Sequence, residues 1–415
     1  MKKYIIIYLL LFLAGITTGM AQDKQLNTYL VTAAQNNPGL KAKFSDYQAA
    51  LQKVPQVGAL PDPQVMFGYM VMPVETRLGP QQGRISASQS FPWFGTLNAR
   101  KDAASSMAAA KLESFEQAKS KLFYDVRSTW YNIYMANKAI QRTKENLEIL
   151  NSYRQVALAK IAAGLTSSVD ELRLQMEIGD MENQLALLRD NERTLTVMFN
   201  NLLNTPAESP VEAPDTLATD SLDMTTSALW DSISVQNHQL KQLDNLINAW
   251  DKQELAARKA GKPSFTIGFE YVIIGQTNSA MAGNDAGKDA FAFPTVGIKI
   301  PLYRKKYEAM VREAQYHRES AGFKKQDKQN TLNTIFAKTK RDYRDAERRI
   351  SLYTEQLELA KRSLRILYSD YSTGGKNFEE VLRMERRVLK YALELDKAAA
   401  DRNAAAAFVT YLTGK

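Results

Sequence analysis

Two stretches of the chain carry the same long hydrophobic stripe. In the second, Leu332, Phe336, Thr339, Tyr343, Ala346, Ile350, Tyr353, Leu357, Ala360, Leu364 and Leu367 recur at alternating steps of four and three, a heptad seam. Subtracting 210 from each number gives Leu122, Val126, Thr129, Ile133, Ala136, Ile140, Thr143, Leu147, Leu150, Arg154 and Ala157, and only Arg154 is out of character. Both stripes lie in proline-free tracts, Gly95 to Thr205 and Leu302 to Lys415, each interrupted by a glycine turn at Gly164 or Gly374. One amphipathic helix gives one seam. Two seams in register, each closing on a glycine turn, indicate an internal duplication. The pattern predicts long helices over Thr96–Ala162 and Tyr303–Tyr371, with return helices over Ser167–Leu203 and Asn377–Leu412.

Short alternating segments precede each long helix. Gln64–Met72 puts Val65, Phe67, Tyr69 and Val71 on one face. Arg84–Phe91 separates Ile85, Ala87 and Phe91 from Arg84, Ser86, Ser88 and Ser90. Lys262–Ile274 separates Phe265, Ile267, Phe269, Tyr271 and Ile273 from Thr266, Gly268 and Glu270. Phe291–Pro301 changes phase near Pro294, after which Val296, Ile298 and Ile300 oppose Thr295, Gly297 and Lys299. This period of two marks strands with one apolar and one wet face. Pro73–Gly83 and Gly275–Asp289 read as the hairpin loops. Helices are expected over Gln25–Val54, interrupted around Asn37 and Pro38, and as one piece over Ser227–Lys259. Pro263 lies 200 after Pro63 and Pro301 lies 209 after Pro92, so the second hairpin loop is about nine residues longer.

Four segments result. Residues 1–21 read as a secretory signal, with Lys2, Lys3, an apolar run and a small-residue cleavage site. Residues 22–204 are the first helix–hairpin–long-helix repeat, 205–225 an acidic, proline-rich solvated linker, and 226–415 the second repeat.

Composition removes most chemistry. The 415 residues contain no cysteine, and the two histidines are His238 and His317. Thiolate and paired-histidine metal sites and Ser-His-Asp triads are therefore not expected, and there is no phosphate loop. The net charge of +9 is spread among acids along helices and reads as solvated faces, with no nucleic-acid partner. We expect no enzyme, no cofactor and no resident metal. Met66, Met70 and Met72 share a strand face and read as packing.

At ~1.5 Å per residue each long helix spans roughly 100 Å, the first return helix about 55 Å and the helix opening the second repeat about 50 Å, so two short helices laid end to end match a long one. The strands have the length of tilted membrane-crossing strands, with apolar faces for lipid and polar faces for a wet lumen. Four strands cannot close a barrel with a lumen, whereas three chains supply twelve. A periplasmic coiled-coil scaffold or adaptor is the alternative, and it leaves the apolar strand faces unexplained. Sedimentation with detergent-extractable outer membrane separates the two.

Several segments carry a resemblance over essentially the whole mature chain. The duplicated plan, Pro301 at the end of the last strand, the first turn "AAGLTSSVDELRLQ" (Ala162–Gln175) and the second "YSTGGKNFEEVLR" (Tyr371–Arg383) are similar to outer-membrane efflux proteins of the TolC family. The resemblance implies a mainly α fold with a small β part: a homotrimer with a 12-stranded β-barrel in outer-membrane lipid, continuous with a long periplasmic α-helical barrel. It implies a passive exit duct that docks a periplasmic adaptor (a membrane fusion protein) and an inner-membrane pump of the RND type. It places adaptor-docking tips at Gly164, Leu165, Thr166, Ser167, Gly374, Gly375 and Asn377, with Ser167 or Asn377 able to cap the next helix. It places a periplasmic gate at Asp170, Tyr371, Lys376 and Glu380. Arg383 stands where the family often has a second acid. "GALPDPQVMFGYMVMP" (Gly58–Pro73) and "SQSFPWFGTL" (Ser88–Leu97) resemble the branch serving heavy-metal efflux pumps, which implies metal cations as cargo, although Phe94 replaces a frequent proline. The N-terminal cysteine that lipidates many members is absent, so no lipid anchor is expected.

Overall fold

The computed structural model describes residues 21–214, 216–218, 225–277, 283–373 and 377–415. Residues 1–20 of the expected signal segment lie outside them. In order the elements are α1 (Ala21–Asn36), α2 (Pro38–Gly58), β1 (Gln64–Thr76), β2 (Gly79–Phe91), α3 (Thr96–Ala162), α4 (Val169–Leu203), α5 (Thr226–Gln236), α6 (His238–Ala260), β3 (Ser264–Ile274), β4 (Ala290–Lys299), α7 (Arg304–Thr373) and α8 (Phe378–Leu412). The long helices α3 and α7 have 67 and 70 residues. Two compact units form: one from Met1–Ala42, Glu116–Asn237 and Gln329–Lys415, the other from Lys43–Phe115 and His238–Lys328.

The second unit holds one antiparallel sheet in the order β1-β2-β3-β4. The first hairpin is longer than its alternation suggests. β1 runs on through Pro73 to Thr76, and β2 begins at Gly79 rather than Arg84. Pro73 lies inside the register break between Tyr69 and Val74, on an edge strand, so its missing N–H interrupts no ladder bond. Gly79 sits at φ +133, and a Cβ there would collide with the Gly275 carbonyl. In β4 the phase change near Pro294 appears as a register break opposite Gly268–Glu270.

The first unit contains both seams. From Leu332 to Ala360 the second follows the expected positions, with Leu332, Phe336, Thr339, Tyr343, Ala346, Leu357 and Ala360 buried. The first seam slips. Leu122, Val126, Thr129, Ile133, Ala136, Thr143, Leu150 and Ala157 are buried as expected, but Asn146 and Tyr153 take the places expected for Leu147 and Arg154, and Lys160 continues the stripe. From Asn146 the alternation of three and four is reversed, so every second position falls one residue earlier. Tyr153 therefore faces the core, and Arg154 is left at the boundary, where it pairs with Glu171 on α4 at 3.0 Å.

The helix expected over Ser227–Lys259 is two helices, broken at Asn237, whose backbone is extended (φ −59, ψ 123). The break has a physical cause. Asn237 Nδ2 donates to the Leu412 carbonyl at 3.0 Å, satisfying one of the orphan acceptors at the end of α8. Asn37, 200 residues earlier, breaks α1 from α2 and donates to the Leu202 carbonyl at the end of α4 at 2.9 Å. The return helices end alike too. Asn204 (φ 54) and Gly414 (φ 76) take left-handed conformations 210 residues apart, each closing a Schellman turn.

Segment 205–225 is not free along its described part. Asn200 Nδ2 donates to the carbonyls of Ala207 at 2.9 Å and Ser209 at 2.8 Å, Trp130 Nε1 to that of Glu212 at 3.1 Å, and Asn403 Nδ2 to that of Ala218 at 2.7 Å. Five acids made this segment look solvated, yet buried amide and indole donors tie its backbone down.

Asn237 is only 4 % exposed, so Asn237→Ala leaves a buried carbonyl unsatisfied. We expect a loss of about 1–3 kcal/mol. Thermal unfolding of the detergent-solubilised protein, followed by helical circular dichroism, should show a lowered midpoint for Asn237→Ala and a smaller shift for the less buried Asn37→Ala.

Candidate functional site

The sheet register sorts side chains by face. Phe67 stands opposite Ile85, Ile85 opposite Tyr271, and Tyr271 opposite Phe291. Directly opposed residues share a face, so this is one apolar row across all four strands. Val65, Ala87 and Phe269 form a second row, and Phe265 with Ile298 and Ile267 with Val296 extend the face towards the helices. Exposure of Phe67 at 77 %, Val71 at 85 %, Phe291 at 65 % and Val296 at 69 % leaves this face uncovered in the single chain. Patches of this kind mark interaction or membrane surfaces. The opposite face carries Ser86, Ser88, Ser90, Thr266 and Thr295, with Arg84 bound to Glu270 at 3.1 Å. Among the described residues, no helix is long and apolar enough to cross a membrane.

The turn after α3 is a Schellman motif. The Gly164 N–H binds the Ile161 carbonyl and the Leu165 N–H binds that of Lys160, both at 2.9 Å, with Gly164 at φ +69. Leu165 is 56 % exposed. Ser167 does not cap α4: Ser168 holds the cap position without a side-chain cap bond, Ser167 Oγ accepts from the Val169 N–H at 3.3 Å, and Thr166 donates to Asp170 at 2.5 Å. Asn377 occupies the cap position of α8 without a side-chain cap bond, because its backbone (φ −96, ψ 68) is not that of a capping residue. Gly374, Gly375 and Lys376 lie outside the described residues.

Asp170 and Tyr371 come together, both buried. Arg173 bridges from Asp170, at 3.7 Å, to Glu379 of α8, at 3.0 Å. Burial and the Asp170 charge raise the Tyr371 phenol above its ordinary value, against a lowering contact from Thr166. Sequence reasoning gave this cluster Lys376 as its ammonium. Among the described residues Lys160 fills that place: its Nζ lies 3.9 Å from the Tyr371 ring centroid and donates to the Tyr371 carbonyl. Lys160 was overlooked because the seam was carried straight through Arg154. The stripe in phase with Tyr153 leads directly to it. Glu380 pairs with Arg383 one turn along its own helix. Arg173 and Glu379 were also missed, and no spacing in the sequence singles them out.

Residues 29–204, the first repeat nearly entire, match the family model described as outer membrane efflux protein. Both repeats share the fold of solved channels. The outer-membrane channel OprN superposes with a TM-score of 0.78 at 15 % identity, covering 94 % of this chain and 90 % of that one. The CusC structure gives 0.77 at 17 % identity, covering 96 % and 95 %. Over its first repeat the chain is similar to outer membrane efflux proteins, and over both repeats it has the fold of these channels. Among curated proteins, toxin and drug export protein A of Aggregatibacter actinomycetemcomitans is 22 % identical over 249 residues, 59 % of this chain and 53 % of that protein. The match thus spans about half the length of that relative.

The chain also buries a carboxyl group that sequence reading missed. Glu385, 3 % exposed, accepts from Asn146 Nδ2 at 2.7 Å and from the Tyr153 hydroxyl at 3.4 Å. Burial pushes its carboxyl above the usual range, against the lowering effect of those two bonds. The folded chain therefore keeps this proton where the unfolded chain has released it. The stabilising contribution is complete below the unfolded carboxyl value and is lost as pH rises through the folded one. Glu385→Gln keeps the acceptor for Asn146 and removes the titration. We expect the unfolding midpoint of wild type to fall relative to that of Glu385→Gln as pH goes from acid to neutral. Parallel pH profiles for the two proteins would refute this.

Proposed function

We propose that this protein belongs to the outer-membrane efflux channels and is the passive exit duct of an export system, seated in an outer membrane as a homotrimer. The observation that carries the reading is the apolar face held in register across all four strands, backed by a polar one. Such a sheet fits hydrocarbon on one side and water on the other. Its two open edges need partners, and three chains close a twelve-stranded barrel. The work is free of covalent chemistry: strands supply the pore and helices the conduit.

The Gly164–Ser167 turn and its counterpart at residues 374–377 dock the periplasmic adaptor, behind which stands an inner-membrane pump of the RND class. Exposed Leu165 and the rigid Schellman turn support this role. Asp170, Tyr371, Lys376 and Glu380, joined now by Lys160, Arg173 and Glu379, form the gate. The relative named for toxin and drug export supports small toxic molecules as cargo, and the resemblance of Gly58–Pro73 and Ser88–Leu97 supports heavy-metal cations. Resistance profiles of a deletion strain against both classes decide between them.

Purified protein should insert into planar bilayers and give discrete conductance steps, and in cells it should sediment with the outer membrane. A soluble periplasmic protein without conductance would return the reading to a coiled-coil scaffold. At the gate, Arg173→Ser cuts the link between α4 and α8. A partly exposed pair is worth ~0–1 kcal/mol, so three copies bias opening by up to about a hundredfold. We expect Arg173→Ser to raise the open probability of a confirmed trimer, with less salt dependence than wild type. At the tip, Gly164→Asp combined with Leu165→Asp should abolish export while trimer level holds. Normal resistance in that strain would remove the docking role.

A further inference from the structure

Where the sheet joins the helices, aromatic and cationic side chains gather. Trp93, Phe94 and Phe265 form a cluster with ring centroids 5.9–6.2 Å apart. Phe94 is 77 % exposed and Tyr303 is 85 % exposed. Directly beside them stand cations. Lys299 pairs with Ser264 at the end of the ladder, next to Phe265, and Arg304 donates to the Gly261 carbonyl at 3.1 Å. Lys259 lies against Gly95, and Lys305 and Lys306 are exposed in the first turn of α7. From Lys299 to Lys306 the chain has four cations and no acid. Among the described residues no carboxylate pairs with Lys299, Arg304, Lys305 or Lys306.

This arrangement is costly in water. The first turn of a helix carries the positive end of its dipole, and α7 has no acidic residue there to offset three cations. The order along the chain is also informative. Apolar residues of the sheet face (Val296, Ile298, Ile300) come first, then Tyr303, then Arg304, Lys305 and Lys306, while Lys299 stands on the wet face opposite Ser264. Aromatic rings sit at headgroup level where apolar faces meet water, and long cationic side chains reach just beyond. The patch is continuous with the face that fits hydrocarbon, and its charge complements a phosphate layer.

We infer that this rim is a seat for the headgroups of anionic phospholipids, with Arg304, Lys305 and Lys306 binding the phosphates and Trp93, Phe94 and Phe265 holding the acyl boundary. The inference rests on the membrane reading above and adds a lipid preference to it. The test is electron paramagnetic resonance of the full-length protein in phosphatidylcholine vesicles doped with spin-labelled phosphatidylglycerol or spin-labelled phosphatidylcholine. At low salt the motionally restricted fraction should favour phosphatidylglycerol by about fivefold, the worth of one engaged cation at a membrane surface. The preference should shrink as ionic strength rises. The variant Arg304→Gln, Lys305→Gln, Lys306→Gln should lose it while restricting phosphatidylcholine as before. Equal restriction of the two labels by wild type, or a preference that ignores salt, overturns the inference and leaves the membrane reading intact. If neither label is restricted, both fall.

Discussion

The structure depends on one constraint, the backbone hydrogen bonds at the two edges of the sheet. In hydrocarbon each unpaired N–H or C=O costs several kcal/mol. β1 and β4 have 13 and 10 residues, and alternate residues point their backbone groups outward. Even half a dozen unpaired groups exceed the ~5–15 kcal/mol by which a folded domain is stable. In the proposed membrane setting no single copy of this chain can keep its sheet in lipid, so insertion and self-association become one event. Met66 and Met72, expected as packing, are 61 % and 85 % exposed in the single chain, and Met66 stands opposite Ser86 on the wet face.

The elements that were legible in the sequence are those written in long periods. The seams, the strand faces and the duplication repeat over tens of residues, so local errors average out. What escaped was decided by single contacts. The Asn237 break looks like helix in sequence, because asparagine is tolerated there until the α8 carbonyls supply a better partner. Pro73 looks like a strand end until the register break shows that its missing donor is harmless. Asp170 and Tyr371 were legible through the family resemblance, whereas Lys160, Arg173 and Glu385 were not. Lys160 depends on a one-residue slip of the seam. Glu385 reads as an ordinary surface acid until Asn146 and Tyr153 turn towards it.

The duplication runs deeper than the elements. Asn37 and Asn237 each end one helix by capping another, at Leu202 and Leu412, and Asn204 and Gly414 finish the capped helices in the same left-handed way. A junction built this way satisfies two helix ends at once. It also holds the break point against the C-terminus of its partner, so neither helix can lengthen without uncovering buried acceptors. The segment 205–218, laced to Asn200, Trp130 and Asn403, sits beside these junctions in the same unit.

Relative magnitudes decide how the tip can move. Tyr371 and Phe378 are each about 1 % exposed, with ring centroids 4.6 Å apart, and Tyr153 stacks on Tyr368 at 4.7 Å. Burying a large side chain is worth ~1.5–3 kcal/mol, whereas an exposed ion pair such as Arg173–Glu379 is worth ~0–1 kcal/mol. Pulling these rings apart would cost more than every ion pair around them returns. For the proposed gate, an opening motion therefore keeps the aromatic seam together and carries the ends of α3, α7 and α8 as one body. The exposed pairs at Arg173 and Arg383 can then exchange partners with water at little cost. The buried Glu385 network resists, since parting Asn146 from it would strand a carboxylate out of water.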